Sequence, residues 1–544
     1  MSDLGADRAG SLGRGQLATP GLVHSSAAML LVVALVATAV RFTIVGLGLE
    51  TLDRQAYPDD TYYVLTIARN MALGIGPSVD GTTLTTGFQP LIALFLTPVF
   101  WLTDDPHTAA YAAGALSAVF GVTAVALAAR LTLALTGSAL AGLGVGLVAA
   151  TGPVFVLTHL NGLETSLAAT AFLATVTLTA ETARGASRKR YMAIGALAGL
   201  AILARIDSVV LLVPLAAWGV IAHGWRAIGS VTGAMALVVA PWVAVCLVVS
   251  GTLIPESGGA VQTLAAAYEI APWTMVAGGA LVLSGLVPGQ LLALGKGGGT
   301  ETFIAAYMVW AILLATLVRS AWRRQYSLAT ALSLSAILLF LAYTTKLGAF
   351  WFFERYFAPI FVLALILGAV LFCEMSRNGR GLALGRWRVG AGSIGGLLAV
   401  FFSGTGLVFT TAYAISPHSI ERAYSPPMAY SAAAHSFFPD LPAGARLGAF
   451  QSGALAYFAP DGLEVVNLDG VVNGAAAEAF RTRTMCAYLA TEGITHFLDW
   501  EGNHGFLMDA RGEGSEIRLT LMRRDVVVPG QNPLFLWEVA LDCA

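Results

Sequence analysis

The run AAMLLVVALVATAVRFTIVGLGL at residues 27–49 decides the fold, because it stays apolar for the length that a helix needs to cross a membrane. About 20 apolar residues span the roughly 30 Å of hydrocarbon in a bilayer. The run has no small-residue cleavage site and follows a loose polar segment at residues 1–24. We therefore expect a permanent anchor rather than a cleavable signal peptide.

The composition extends this prediction to most of the chain. Of the 544 residues, 57% are hydrophobic and 11% are charged, and the mean hydropathy is +0.74. Soluble globular proteins have roughly 25% charged residues. The sequence therefore predicts a mainly α, polytopic membrane protein. Its net charge of −2 indicates neither an acidic nor a basic partner, and we expect no nucleic-acid partner.

The positions of Lys and Arg predict the orientation, because these residues accumulate on the cytoplasmic side. Basic clusters occur at Arg184–Arg190, Arg319–Arg324 and Arg377–Arg388, and Arg8 and Arg14 precede the first span. We place all of them, and hence the N-terminus, on the cytoplasmic side of the cytoplasmic (inner) membrane. About 11 crossings satisfy this placement. They lie near residues 27–48, 109–132, 137–158, 164–183, 191–204, 207–222, 227–249, 302–318, 328–344, 357–374 and 389–413.

Two apolar segments do not fit this count as spans. Residues 88–102 are too short for an upright crossing, and we expect them to form a helix in the external interface with Trp101 at headgroup level. A crossing at residues 272–292 would reverse the orientation of all later spans. We expect a re-entrant or surface helix there.

The chain beyond residue 414 has the pattern of a soluble domain. Short apolar runs alternate with turn signals and with one helix-like stretch at residues 475–493, which predicts a small α/β domain. The predicted domains are a cytoplasmic tail (1–26), a transmembrane domain (27–414) with an external loop (49–108), and an extracytoplasmic domain (415–544). If the last domain is external, a disulfide between Cys486 and Cys543 is plausible, although the sequence does not give their distance.

The external loop contains an acidic pair in YPDDTYYVLTIARNMALGIGPSVDGTTLTTGFQPL, residues 57–91. Asp59 and Asp60 precede a helix pattern at Tyr62–Leu73, so the ordinary explanation is a helix N-cap. One cap does not require a second carboxylate, however. Two adjacent carboxylates at a membrane face raise one another's pKa, which leaves one available as a base.

The order of motifs around this pair resembles that of the GT-C superfamily of integral membrane glycosyltransferases. This superfamily includes protein O-mannosyltransferases, aminoarabinose transferases and actinobacterial arabinofuranosyltransferases. The resemblance covers roughly residues 27–375, with Thr86 where Asn is more usual and Ile206 where Pro is common. The matching segments are Asp59–Tyr63, Ala68–Asn70, Gly74–Gly76, Thr86–Leu91, Asn161–Thr165, Leu203–Asp207, Leu253–Ser257 and Phe353–Pro359.

The resemblance implies an inverting glycosyltransferase with a polyprenyl-phosphate-linked sugar donor, acting at the external face in cell-envelope glycan synthesis. The acceptor would be a hydroxyl of a glycan, a lipid or a protein. Deprotonating it requires a carboxylate within hydrogen-bond reach. The leaving phosphate requires cationic or amide donors. The sequence has neither a P-loop nor a Rossmann Gly-rich motif, which fits a donor that is not a nucleotide sugar.

The resemblance assigns expected roles to individual residues. Asp60 or Asp59 is the candidate base, and Glu164 is a second candidate acid. The candidate ligands of the donor phosphate are Arg355, Arg205, Arg69 and Lys346. The candidate substrate-binding residues are Tyr62, Gln89, Glu256, Ser257 and Tyr356.

Each role has a structural alternative. Glu164 is also placed to stabilise a helix N-terminus. Arg355 is also placed to pair with Glu354 or to lie at the membrane interface. Arg205 is also placed to pair with Asp207. Arg41 in the first span is expected to reach the interface or to pair internally.

Other features leave the function less defined. The histidines are scattered without a metal-binding spacing, so the cofactor is unknown and no metal ligand is assigned. Asp469 and Asp499 in the tail have the pattern of strand-end turns rather than of catalysts, and we expect the tail to bind or position the acceptor. A transporter or flippase of a lipid-linked glycan would also have many spans, although it would predict inverted repeats. A non-enzymatic envelope assembly protein is the other alternative.

Overall fold

The protein is mainly helical, as expected. The computed structural model describes residues 20–253, 255–267, 271–283, 300–347, 353–377, 382–384, 387–389, 391–415, 429–527 and 532–543. The helices of its first part are α1 (Pro20–Gly46), α2 (Leu49–Gln55), α3 (Asp60–Ala72), α4 (Pro90–Leu96), α5 (Pro106–Thr136), α6 (Ala139–Thr151), α7 (Pro153–Leu157), α8 (Thr165–Ala180), α9 (Arg188–Ala204), α10 (Ser208–His223), α11 (Trp225–Val249), α12 (Glu256–Ala267), α13 (Pro272–Val282), α14 (Thr300–Arg323), α15 (Leu328–Ala342), α16 (Phe353–Tyr356), α17 (Ala358–Arg377) and α18 (Ala391–Ile415).

Every predicted span coincides with a helix, which confirms the polytopic helical fold. Among the described residues, six helices are long and apolar enough to cross a membrane, and shorter apolar helices accompany them. The predicted span at 137–158 is divided into α6 and α7, because Pro153 lacks the N–H that would continue the hydrogen-bond ladder. The number of crossings and their direction stay predictions.

Arg41 was expected either to reach the membrane interface or to pair internally, and it pairs internally. Its side chain is fully buried in α1 and donates to the carbonyl oxygens of Ala149, Ala150 and Phe155, at 3.1–3.3 Å. These carbonyls lie at the break between α6 and α7, where the helical ladder leaves acceptors free. The guanidinium thus stabilises the break.

The two segments that did not fit as spans are short helices. Residues 88–102 form α4 and a 3₁₀ turn at Thr97–Trp101, and Trp101 is 68% exposed. The segment at 272–292 forms α13, and its remainder from residue 284 lies outside the described residues. Both are shorter than an upright span, and their location at a membrane surface stays a prediction.

The C-terminal part is the small α/β domain that the sequence predicts. Its elements are α19 (Tyr430–Phe437), β3 (Arg446–Ala449), α20 (Gly453–Tyr457), β4 (Glu464–Asn467), α21 (Gly474–Thr482), α22 (Met485–Thr491), β5 (His496–Trp500), α23 (Glu501–Asp509), β6 (Glu516–Asp525) and β7 (Leu534–Asp542); β1 (Leu382–Leu384) and β2 (Trp387–Val389) form a separate hairpin before α18. The five-stranded sheet has the order β4-β3-β5-β7-β6, in which β3 is parallel to β4 and β5 and the other pairs are antiparallel.

Two local features of this domain differ from or extend the sequence expectation. The predicted helix at residues 475–493 is two helices, because Arg483 between them has a left-handed backbone (φ 55°) that ends α21. A disulfide joins Cys486 in α22 to Cys543 after β7, which is the pairing that the sequence left open.

The C-terminal domain packs directly on the external loop of the first part. Side chains of α3 and α4 share one hydrophobic core with side chains of β3, α20 and β7. The two backbones also touch: a Cβ at Gly87 would lie 1.8 Å from the Val471 carbonyl oxygen, and a Cβ at Gly453 would lie 2.3 Å from the Asp59 carbonyl oxygen. Glycine is therefore required on both sides of this contact.

Candidate active site

A cavity of about 600 Å³ lies where the membrane region, the external loop and the C-terminal domain meet. This volume is within the range of small-molecule sites. Its polar and aromatic lining includes Asp60, Tyr63, Gln89, Glu164, Arg205, Asp207, Ser257, Tyr343, Arg355, Tyr356, Tyr430, Gln451, Asp469, Trp500 and Asn503.

Asp60 places a carboxylate in this cavity. It is the first residue of α3, and its Oδ2 accepts a hydrogen bond from Arg355 Nη2 at 2.7 Å. The Asp60 side chain is 29% exposed, whereas that of Arg355 is 12% exposed. The candidate base and the first candidate phosphate ligand are therefore in direct contact, although 295 positions separate them in the sequence.

Asp59 has a different environment from its neighbour. Its side chain is buried and accepts hydrogen bonds from the backbone N–H groups of Gly453 at 2.7 Å and Ala454 at 2.9 Å. It makes no side-chain hydrogen bond to α3, so it caps α20 of the C-terminal domain instead of its own helix. Burial raises the pKa of Asp59 to about 7, and the two N–H donors partly oppose this shift.

Arg205 is the centre of a buried ionic cluster. It donates to Glu164 at 2.7 Å, to Asp207 at 2.7 Å and to the Tyr343 hydroxyl oxygen at 2.9 Å, while that hydroxyl donates to Asp207. The side chains of Arg205 and its two carboxylate partners are at most 11% exposed. The expected pair with Asp207 is present, and Glu164 is a second partner that the sequence did not indicate.

Tyr356 connects the two arginines. The Arg205 guanidinium lies 4.8 Å and the Arg355 guanidinium 5.4 Å from the centre of its ring, distances at which a cation and an aromatic face attract. The ring also stacks on Tyr343 with a centroid distance of 4.4 Å. This arrangement holds the Arg355 guanidinium beside the Asp60 carboxylate and the Arg205 guanidinium on the same tyrosine ring.

Gln89, Ser257 and Tyr356 line the cavity, whereas two other predicted substrate-binding residues do not. Tyr62 is buried and its hydroxyl donates to Asp53, because the α3 turn directs Tyr63 rather than Tyr62 toward the cavity.

Glu256 is the second predicted substrate ligand outside the cavity lining. Its Oε2 accepts hydrogen bonds from the Thr85 hydroxyl and the Thr86 N–H, both at 2.9 Å. The carboxylate therefore holds the loop before Gly87 in place.

Two of the predicted phosphate ligands also lie away from the cavity lining. Arg69 packs over the Tyr457 ring at 5.4 Å and donates to the Tyr457 carbonyl oxygen. Lys346 is exposed in a π-helical turn at Tyr343–Leu347. Arg355 and Arg205 are the predicted phosphate ligands that line the cavity.

Sequence reasoning expected the C-terminal domain to bind or position the acceptor, but it did not identify which residues of that domain line the cavity. The three parallel strands β4, β3 and β5 all end at the cavity, where they place Asp469, Gln451 and Trp500 in its lining. Ligand sites in α/β sheets commonly lie at the carboxyl ends of parallel strands. The turn signal at Asp469-Gly470 was visible in the sequence, but its place beside two other strand ends was not.

Asp469 is a cavity-lining carboxyl of the C-terminal domain that interacts electrostatically with Asp60. Its Oδ1 accepts the Val471 N–H at 2.8 Å. Burial raises its pKa to about 8, and the charges of Asp60 and Asp59 add to this shift. The described residues contain no group of three His, Cys, Asp or Glu side chains arranged to hold a metal ion.

Comparisons with known proteins identify the fold. No family model and no curated protein matches the sequence. Among solved structures, the archaeal oligosaccharyltransferase AglB from Archaeoglobus fulgidus, in complex with an inhibitory peptide and a dolichol-phosphate, is similar at a TM-score of 0.56 and 14% identity, covering 87% of this chain and 69% of that chain. The apo form of the A. fulgidus enzyme is similar at 0.55 and 13%, covering 90% and 71%.

A second protein is similar over nearly its whole length. ArnT from Cupriavidus metallidurans, bound to undecaprenyl phosphate, has a TM-score of 0.52 and 13% identity, covering 93% of this chain and 97% of that chain. At these identities the likeness concerns the fold. This chain is a polytopic membrane protein with the fold of the GT-C glycosyltransferases.

Proposed function

We propose that this protein is an inverting glycosyltransferase that moves a sugar from a polyprenyl-phosphate carrier to an acceptor hydroxyl. The reaction takes place at the external face of the cytoplasmic membrane and serves cell-envelope glycan synthesis. The observation that carries this proposal is the contact between Asp60 and Arg355 in the cavity. It brings together the base that an acceptor hydroxyl requires and the cation that a leaving phosphate requires.

Asp60 is the general base of the proposed reaction. As the acceptor oxygen attacks the anomeric carbon, its proton passes to the Asp60 carboxylate, and the bond from that carbon to the phosphate oxygen breaks. Attack from the face opposite the leaving phosphate inverts the anomeric carbon. Asp59 does not serve as the base in this scheme, because both of its oxygens accept backbone N–H groups of the C-terminal domain.

Arg355 binds the donor phosphate and stabilises the charge that develops as the carrier leaves. A guanidinium pairs with phosphate through parallel hydrogen bonds. In the structure this guanidinium is bound to Asp60, so a phosphate that takes over Arg355 also releases the carboxylate. The donor therefore prepares the base before the acceptor reacts.

Arg205 has a positioning role in this proposal. Its contacts with Glu164 and Asp207 leave it buried and held in one orientation. Breaking such a cluster by removing one partner is unfavourable because a buried charge then lacks compensation. We assign Glu164, held in this way, to orienting the donor sugar in the cavity.

Two observations support a lipid-linked donor. The cavity lies beside apolar helices that suit a membrane, so a carrier tail has hydrocarbon to enter while its phosphate reaches Arg355. The two similar proteins were solved with dolichol-phosphate and with undecaprenyl phosphate. The predicted orientation places the cavity outside the cytoplasm, where such donors present their sugars.

The test is turnover of a panel of polyprenyl-phosphate sugars by the purified protein and by Asp60→Asn. The substitution keeps the shape of the side chain but removes the base. We expect sugar transfer to fall by about 10²- to 10⁴-fold, the usual contribution of a general base. Asp461→Asn is the matched control, since it removes an exposed carboxylate of the C-terminal domain that lies outside the cavity lining.

Each alternative function predicts a different result. Full activity of Asp60→Asn in protein that inserts normally would refute the mechanism. Movement of a lipid-linked glycan across vesicle membranes without sugar transfer would favour the transporter instead. Neither activity would favour the assembly protein.

A further inference from the structure

One wall of the cavity belongs entirely to the C-terminal domain and carries almost no charge. It is aromatic and amide-rich, with Tyr430, Phe450, Gln451, Trp500, Asn503 and Phe506. Among the described residues of this wall, Asp469 is the one with a carboxyl group, and none is a Lys, Arg or His. The opposite wall, with Asp60 and Arg355, carries the ionic groups.

Asp499 fixes this wall from behind. Its buried carboxylate accepts hydrogen bonds from the N–H groups of Phe450 at 2.7 Å, Gln451 at 3.2 Å and Trp500 at 2.8 Å, and from Asn503 Nδ2 at 2.7 Å. All four partners line the cavity. This one carboxylate therefore holds the ends of β3 and β5 and the start of α23 together, so that they form one continuous surface.

The groups on this surface match the two faces of a sugar ring. The indole of Trp500 offers a flat apolar surface for ring C–H groups, and its Nε1 is buried without a hydrogen-bond partner among the described residues. The side-chain amides of Gln451 and Asn503 each contain both donors and acceptors, which is what hydroxyl groups require.

The charge of the wall selects against ionic acceptors. Burial raises the pKa of Asp469 to about 8, which favours the neutral form of its carboxyl at pH 7. A cationic peptide finds no anionic partner on this wall, and an anionic one finds no cation. A neutral, hydroxyl-rich ligand is the class that fits.

We propose, on the basis of the glycosyltransferase function above, that the acceptor is a neutral saccharide bound on this wall. Its terminal sugar packs on Trp500 and pairs with Gln451 and Asn503, so that one hydroxyl faces Asp60. The C-terminal domain is then the acceptor half of the active site, and the membrane region is the donor half. Asp499 is a positioning residue for the acceptor half.

The experiment measures binding without turnover, so that it is independent of the donor assay. Full-length protein in nanodiscs containing undecaprenyl phosphate is titrated with neutral trisaccharides of mannose and of arabinofuranose, and with an uncharged Ser/Thr-rich peptide. We expect a trisaccharide to bind, with its Kd raised at least about tenfold by Trp500→Ala. Asn503→Ala removes single hydrogen bonds and should raise the Kd by about 2- to 10-fold.

Matched variants separate binding from folding. Trp101→Ala removes an exposed tryptophan of the external loop that does not line the cavity, and Glu501→Ala removes an exposed side chain of the same helix as Asn503. Both should leave the trisaccharide Kd unchanged. Trp500→Phe, which keeps an aromatic face, serves if the alanine variant does not fold.

Three results would overturn the proposal. These are the absence of trisaccharide binding, trisaccharide binding that Trp500 and Asn503 substitutions leave unchanged, and peptide binding that the same substitutions weaken. If trisaccharides bind as expected but no polyprenyl-phosphate sugar is consumed, the proposal of a saccharide-binding surface is supported and the proposed donor reaction is wrong.

Discussion

Replacing Asp59 by alanine should loosen the C-terminal domain from the external loop without removing any side chain that lines the cavity. The Asp59 carboxylate is 2% exposed and accepts the N–H groups of Gly453 and Ala454. Alanine offers no acceptor, so both N–H groups at the start of α20 lose their partner. The substitution thus tests whether the acidic pair has one functional and one structural member.

The expected size comes from the two hydrogen bonds. Burial raises the pKa of Asp59 to about 7, so exchange is measured at pH 8, where the carboxylate is mostly ionised. Each hydrogen bond to a charged acceptor contributes about 1.5–3 kcal/mol, so the local opening free energy should fall by about 3–6 kcal/mol. A change of 1.4 kcal/mol is tenfold in an equilibrium constant. Amide hydrogen exchange within α20 should therefore accelerate by about 10²- to 10⁴-fold, provided that exchange follows local opening.

The assay is hydrogen exchange with mass spectrometry on a peptide that covers α20, compared with a peptide from α5 as an internal reference. Asp60→Asn is the matched control, because it changes the adjacent carboxylate without removing a partner of α20. Gly453→Ala should accelerate exchange in the same peptide, since its Cβ would collide with the Asp59 backbone.

Unchanged exchange in Asp59→Ala would refute the assignment of Asp59 to domain docking. Lost sugar transfer in Asp59→Asn, with unchanged exchange, would identify Asp59 as the base in place of Asp60.

Three further predictions concern the stability of the fold. Arg205→Ala should lower the free energy of unfolding by about 3–5 kcal/mol, measured as loss of monodisperse protein on heating, and adding Glu164→Gln should recover part of it, because fewer buried charges then lack a partner. The C-terminal domain should lose stability as the pH rises from 4 to 8. Burial raises the pKa of Asp469 to about 8, so over this range the native state keeps a proton that the unfolded state has lost. The melting temperature should therefore fall over this range, and it should fall less steeply in Asp469→Asn. Cys486→Ser should lower the free energy of unfolding of the same domain by about 4 kcal/mol, because the disulfide removes loop-closure entropy from the unfolded chain and its cysteines are 57 residues apart. Cys246 is a free cysteine, so Cys246→Ser should have little effect on thermal unfolding of this domain.

The helical fold was predictable because membrane spans depend on a local property. An apolar run inside a membrane must satisfy its own backbone hydrogen bonds by forming a helix. The length and apolar composition of each run were therefore enough to locate α1, α5 or α17. The break at Pro153 followed a local signal too, although the prediction joined both sides into one span. The left-handed residue Arg483 carries no such signal, which is why the helix around it was predicted as continuous.

The candidate site was predictable only in part, because its contacts join distant segments. Asp60, Arg355 and Glu164 were identified from motifs, but their partners depend on packing between helices. Tyr62 and Tyr63 are adjacent and chemically alike, and only the helix direction decides which one lines the cavity. The wall around Trp500 had no motif at all, since strand ends become neighbours only when the sheet forms.

The position of the two cavity walls in the chain has a consequence for biosynthesis. Asp60 leaves the ribosome early and Trp500 late, and domains form in the order of synthesis. During insertion the protein therefore has its ionic wall but not its acceptor wall. A polypeptide that stops before residue 450 would lack the surface that we propose binds the acceptor. Under the proposed mechanism, synthesis of the C-terminal domain is therefore the step that completes the active site.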